Sequence, residues 1–210
     1  MKIAIIGSSG FLGSNLSYFL KRNTKNKIFL FSSYFSNKKN WIEKVLRDIK
    51  KVKPNMIINC AANQNLNNTQ KDIAGLIKSN LYSNVMFLNE AIKNKNFIGY
   101  ITFGTKWELS DKKISKPHNF YAATKQANES FFKYFSSEKL SVISLKIFDT
   151  YGPNDKRKKL LNDLLKNYKK NKQINITQGK QFLDYVHVND VCLLIHKIIK
   201  DIKSNKLYGY

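Results

Sequence analysis

The chain has 210 residues and a formal net charge of +23, carried almost wholly by lysine, with Arg22, Arg47 and Arg157 the only arginines. The lysines are scattered through every segment rather than gathered in a stripe, so the charge reads as a solvated surface that attracts anions, and no nucleic-acid partner is expected. No apolar run is long enough to span a membrane, so no membrane partner is expected either.

Two cysteines, Cys60 and Cys192, fall singly in apolar runs. They offer neither metal-binding spacing nor a disulfide framework; a reducing, cytoplasmic setting and no metal are expected. Met1-Lys2 leads straight into Ile3-Ala4-Ile5-Ile6. That run is too short for a signal peptide.

Residues 2–6 read as a strand buried on both faces. The run stops at Gly7-Ser8-Ser9-Gly10-Phe11-Leu12-Gly13 and resumes with helical spacing from Asn15. Strand, glycine turn and helix in this order form a phosphate cradle: Gly7 for the tight turn, Gly10 for backbone approach, Gly13 for helix packing. A helix N-terminus offers free N–H groups and partial positive charge. Gly7, Ser9, Gly10, Phe11, Leu12 and Gly13 are therefore candidate contacts to a dinucleotide. A glycine turn without a ligand is the alternative.

The next strand, 27–31, ends at Ser32. NAD-specific sites commonly carry Asp or Glu here for the ribose 2′-hydroxyl. Ser32, with Lys38 and Lys39 nearby, would not repel a 2′-phosphate. NADP(H) is thus preferred, with NAD(H) possible.

Residues 41–51 read as an amphipathic helix. A buried strand from Met56 runs into the small residues Ala61 and Ala62, which leave room for a ribose or a flat ring. A long helix over 73–93, a strand over 97–103, a helix from Tyr121 to about Tyr134 and a strand over 140–148 follow. A helix at 160–168, a strand at 173–177, the segment 182–188 and a helix from Asn189 complete the chain. The strand–helix alternation predicts an α/β fold, a Rossmann-type doubly wound parallel sheet.

Tyr121 and Lys125 stand four apart on a predicted helix and so share a face. A tyrosine ordinarily ionises near pH ~10, and a neighbouring lysine favours the phenolate. Alone, such a pair is common.

Together these motifs resemble the extended short-chain dehydrogenase/reductase family, the sugar-nucleotide epimerases, dehydratases and reductases. The resemblance rests on Gly7-x-x-Gly10-x-x-Gly13, Asn59-Cys60-Ala61-Ala62, Asn80, Thr105, Tyr121-x-x-x-Lys125, Tyr151-Gly152-Pro153 and the stretch from Asp184 to Val191. Residues 145–160 narrow it to the branch of CDP-abequose and CDP-paratose synthase-like 4-reductases. It implies that Thr105, Tyr121 and Lys125 are catalytic. Tyr121 would give a proton to a 4-keto oxygen, Lys125 would lower the phenol's pKa and hold the nicotinamide ribose, and Thr105 would bond the same oxygen. Ser32, Ala61, Ala62 and Asn80 join the cofactor contacts, Asn80 by steadying the active-site helix or a water. Thr105, Asp149 and Arg157 are the implied substrate contacts, Arg157 through the diphosphate of a nucleotide sugar.

Lys106 and Trp107 follow Thr105 where dehydratases carry acidic residues, which counts against a 4,6-dehydratase. Ser32 counts against an epimerase with resident NAD. Leu183 replaces the arginine usual before Asp184. Family members extend past the position of Tyr210, so the expected division is a dinucleotide domain at 1–152 and an incomplete sugar-nucleotide region at 153–210, its 189–203 helix packing back on the first. The expectation is an NADPH-dependent reductase of a nucleotide-linked 4-keto-deoxyhexose, possible as a homodimer. A 4-epimerase and a catalytically silent Rossmann-fold protein are the alternatives.

Overall fold

The computed structural model describes residues 1–32, 40–67, 69–109, 116–137, 139–174, 176, 178–180, 183–204 and 206. Five strands, β1 (Lys2–Ile6), β2 (Lys27–Phe31), β3 (Met56–Asn59), β4 (Gly99–Thr105) and β5 (Ser141–Ile147), form one sheet in the order β2-β1-β3-β4-β5. Every pairing in it is parallel.

The central strands bury both faces. On β1, Ala4 and Ile6 belong to one core and Ile3 and Ile5 to the other. The first core is covered by α2 (Trp41–Val52), α4 (Ser83–Ala91) and α6 (Asn128–Phe135); Trp41, Ile42, Val45 and Ile49 of α2 are its apolar stripe. The second is covered by α1 (Phe11–Asn23) and α8 (Val188–Lys203). Helix α8 buries Val188, Val191, Cys192, Ile195, Ile198, Ile199 and Ile202, a helical spacing of apolar side chains. Each such aliphatic burial contributes ~1.5–3 kcal/mol, enough to hold the helix against the sheet. The sheet is doubly wound, as its sequence alternation requires.

The chain leaves β1 for one side of the sheet and returns to β3 on the other. Ligands of such sheets bind outside the carboxyl ends of the strands at this reversal. Here that point is Gly7 facing Cys60 and Ala61.

The helix expected over 73–93 is formed without a break from Gln70 to Ala91, with a π-helical turn (Ile77–Tyr82) between α3 (Gln70–Leu76) and α4. Asn80 lies inside the wide turn, where its carbonyl takes the side-chain amides of Asn84 and Asn128 at 2.7 and 2.9 Å. The helix expected from Tyr121 runs as α5 (Phe120–Gln126) into α6 through Ala127, which keeps a helical conformation. Beyond β5, a short parallel pair joins β6 (Asp149–Tyr151) to β7 (Tyr185–His187), with α7 (Leu160–Tyr168) between them. The strand expected at 173–177 is not formed at 173, 174 and 176, where no pairing partner is offered; 175 and 177 lie outside the described residues. No helix among the described residues is long and apolar enough to cross a membrane.

Candidate active site

The turn after β1 is set by Gly7, whose φ of +76° is a left-handed conformation that favours glycine. Its N–H donates to the Phe31 carbonyl at 2.8 Å, tying the turn to β2. Helix α1 then starts so close to the strand that a Cβ on Gly13 would stand 2.2 Å from the Gly7 carbonyl oxygen. The first N–H groups of such a helix lack intrahelical acceptors, and here they open on the reversal point.

That opening is the inner end of a cavity of ≈ 580 Å³. Gly7, Ser9, Gly10, Phe11 and Leu12 line one wall, and Ala61 and Ala62 another. Gly13 lies behind the wall, packing α1 on β1. The cradle fits a dinucleotide: narrow backbone approach at the glycines, small side chains opposite, and space beyond. Ser32 follows β2, half-buried, and does not line this cavity. Lys38 and Lys39 lie outside the described residues.

Thr105 ends β4 and Tyr121 and Lys125 come from α5; all three line the same cavity. Asn119 starts α5, its side chain accepting the Ala122 N–H at 2.9 Å. From this cap, one helical turn carries both Tyr121 and Lys125 to the cavity. Trp107 stands edge-on to Tyr121, with ring centroids 6.3 Å apart. Its carbonyl takes the His118 N–H at 2.8 Å, which ties the turn bearing it to the entry of α5.

Burial pushes the Tyr121 phenol up to about 12, and the charge of Glu108 adds to this; a hydrogen bond with Gln64 works against them. Burial lowers Lys125 to about 8, opposed by Glu108 and Cys60. The expectation that Lys125 brings the phenol down is therefore corrected. Both groups are buried, so each disfavours its charged form, and Tyr121 keeps its proton across neutral pH.

Asn80 is placed behind the cavity rather than in it. Its Nδ2 donates to the Asn63 carbonyl and to Thr124 Oγ1, and its Oδ1 accepts the Asn63 N–H. Both ends of the amide are thus taken up by protein groups, so Asn80 steadies α5 and the cavity wall and does not itself line the cavity.

Asp149 and Arg157 reach the outer part of the cavity. Asp149 is held by Lys106 at 2.7 Å and Lys159 at 3.0 Å. Burial raises its carboxyl, but the two lysines outweigh that and keep it below the ordinary carboxylate range. Arg157 turns its fork inward, onto both oxygens of Asp155 and the Thr150 carbonyl. It also covers the Phe11 ring at 4.1 Å. A fork facing paired phosphate oxygens is thus not what the structure presents; Asp155 occupies it. Lys106, Lys158 and Lys159 supply further positive charge along this rim.

Sequence reasoning missed Gln64 and Glu108. The available signal for Glu108 was Gly104, a glycine inside a strand, which marks close approach of another group. Among the described residues no cluster of three His, Cys, Asp or Glu side chains is placed to hold a metal.

The model of the NAD dependent epimerase/dehydratase family matches residues 3–208. The chain belongs to that family. Its members are oxidoreductase-type enzymes, and solved NAD-dependent epimerases share the parallel sheet described above. CDP-abequose synthase of Yersinia pseudotuberculosis is 25% identical over 210 residues, covering 95% of this chain and 73% of the relative. A dTDP-D-glucose 4,6-dehydratase of Dictyostelium discoideum is 26% identical over 99% of this chain, but only 57% of the relative is spanned. Among solved structures, UDP-glucose 4-epimerase of Thermotoga maritima with UDP-glucose superposes with a TM-score of 0.79 at 20% identity, over 92% of this chain and 71% of that one.

Proposed function

We propose that this family member is a reductase acting on a nucleotide-linked 4-keto-deoxyhexose, in deoxysugar synthesis for surface polysaccharide. The observation that carries the reading is the placement of Thr105, Tyr121 and Lys125 in one cavity with a dinucleotide cradle. At neutral pH the phenol is present in its donor form, and the phenolate formed as the carbonyl oxygen takes the proton is countered by the Lys125 ammonium.

When bound, the nicotinamide supplies hydride to the carbonyl carbon. Tyr121 gives its Oη proton to the oxygen that becomes the new hydroxyl. Thr105 hydrogen-bonds the same oxygen and fixes its approach. Lys125 holds the nicotinamide ribose and, when protonated, steadies the phenolate left behind. The glycine cradle binds the diphosphate of the cofactor, and the lysine rim attracts that of the sugar nucleotide. Ser32, without a carboxylate, accommodates a 2′-phosphate, so NADPH is preferred. Residues 1–152 carry the cofactor and 153–210 begin the sugar-nucleotide region.

Similarity to CDP-abequose synthase supports the sugar chemistry, and Lys106 and Trp107 after Thr105 count against dehydration. The test is a mixture of purified protein, NADPH and freshly generated CDP-4-keto-3,6-dideoxyglucose. Stoichiometric loss of NADPH supports reduction. Interconversion of 4-hydroxy epimers with no net use of cofactor would support a 4-epimerase instead.

A further inference from the structure

Glu108 is a carboxyl with no part in the steps above. It lies in the 3₁₀ turn Lys106–Leu109, at 0% exposure. Oε1 accepts the Thr105 N–H at 2.6 Å. Oε2 is buried with no hydrogen-bond partner. Lys146 Nζ stands 3.9 Å from it but is committed to Glu129 at 2.6 Å.

Space for this carboxyl exists only because residue 104 is glycine. A Cβ there would be 2.4 Å from Glu108 Oε1. An N–H needs only a neutral acceptor, and a buried carboxylate oxygen left unpaired is costly. Burial pushes the Glu108 carboxyl above the ordinary carboxylate range, against the Thr105 N–H and the charges of Lys146 and Lys125. Its ionised form is therefore held at a cost that calls for a reason beyond the Thr105 bond. Glu108 acts electrostatically on Tyr121 and on Lys125, the two ionisable groups of α5 in the cavity. The charged groups acting on it are Lys125 from α5, Lys146 from β5 and Glu129 from α6, beside the Thr105 N–H.

We propose that Glu108 is a positioning residue for the reduction: its carboxyl locks Thr105 at the end of β4 and sets a negative charge against the Tyr121 phenol. The inference rests on the reading of Tyr121 as the proton donor. A carboxylate here opposes formation of phenolate and favours the Lys125 ammonium. Tyr121 is thereby held in its protonated form, and Lys125 in the charged form that faces the phenolate once the proton has left. The same contact fixes the backbone that aims the Thr105 hydroxyl.

Glu108→Gln keeps the acceptor for the Thr105 N–H and removes the charge; Glu108→Ala removes both. Titration of Tyr121 is followed by NMR of ring-labelled tyrosine in the full chain, with Tyr121→Phe to assign the signal. Loss of the charge should lower the Tyr121 titration midpoint by about one pH unit. Gly104→Ala, whose methyl displaces the carboxyl, should move it in the same direction without touching Glu108 itself.

In NADPH-dependent reduction of CDP-4-keto-3,6-dideoxyglucose, Glu108→Gln should bring the alkaline fall in rate to lower pH with KM kept. Glu108→Ala should also raise KM. An unchanged Tyr121 titration in both Glu108→Gln and Gly104→Ala would overturn the proposal. A shifted titration in a protein that reduces no 4-keto sugar supports the hold of Glu108 on Tyr121 and counts against the functional reading alone.

Discussion

Asn80 Nδ2 donates to Thr124 Oγ1 at 3.1 Å, joining the π-helical turn to the helix that carries Tyr121 and Lys125. Thr124 passes the link on, its hydroxyl donating to the Tyr121 carbonyl at 2.7 Å. The same Asn80 amide brackets the backbone of Asn63, beside Ala62 in the cavity wall. One buried side chain thus sets the spacing between the cavity wall at Asn63 and the helix that carries Tyr121 and Lys125. A π-helical turn often marks such a place, because widening the helix redirects its carbonyls and side chains.

Replacing Asn80 with Ala should destabilise the fold by about 2 kcal/mol, since it strands the Asn63 N–H and carbonyl. Dinucleotide affinity should fall less than turnover, because Asn80 supports α5 rather than touching the ligand. Urea unfolding and a separate cofactor titration check the two effects.

Gly13→Ala places a methyl 2.2 Å from the Gly7 carbonyl oxygen, a backbone atom that cannot swing aside. Helix α1 would have to back away from β1, at a cost of about 3 kcal/mol. Weakened NADPH binding together with a lowered Tm is the expected outcome, read by fluorescence titration and thermal unfolding.

Lys125 titrates near pH 8 in the folded chain against an ordinary 10.5. Between those values the unfolded chain binds a proton that the folded chain does not, so stability from this group rises with pH across the window. Below it the full penalty of the buried ammonium applies, ~3 kcal/mol. Lys125→Met should therefore be more stable than the natural chain at pH 7, with the advantage shrinking from about pH 8 upward. Chemical denaturation at a series of pH values measures it.

Ser32→Asp introduces a carboxylate at the end of β2, where a 2′-phosphate is expected. NADPH affinity should fall about tenfold or more while NADH binding is kept. Equal loss of both cofactors would contradict the proposed preference.

The parts of the fold legible in sequence were those set by local patterning. The strand, glycine turn and helix from Lys2 to Asn23 announce themselves through period and glycine spacing, and so does the apolar stripe of α8. The π-helical turn within the 73–93 helix was not legible, because it goes with bonds to Asn63, Thr124 and Asn128, distant in sequence. Arg157 was read as open to a ligand, yet Asp155, two residues before it, fills its fork. The Tyr121–Lys125 pair was legible as geometry but not as electrostatics. Its ionisation depends on burial and on Glu108, neither of which a four-residue spacing encodes.

Transfer of deuterium from 4-deuterated NADPH to C4 of CDP-4-keto-3,6-dideoxyglucose, compared between the natural chain and Tyr121→Phe, tests the central claim most directly. Deuterium should appear at C4 with the natural chain. Transfer should fall at least ~100-fold with Tyr121→Phe while NADPH still binds. Equal transfer by Tyr121→Phe, or none by the natural chain, would contradict the account.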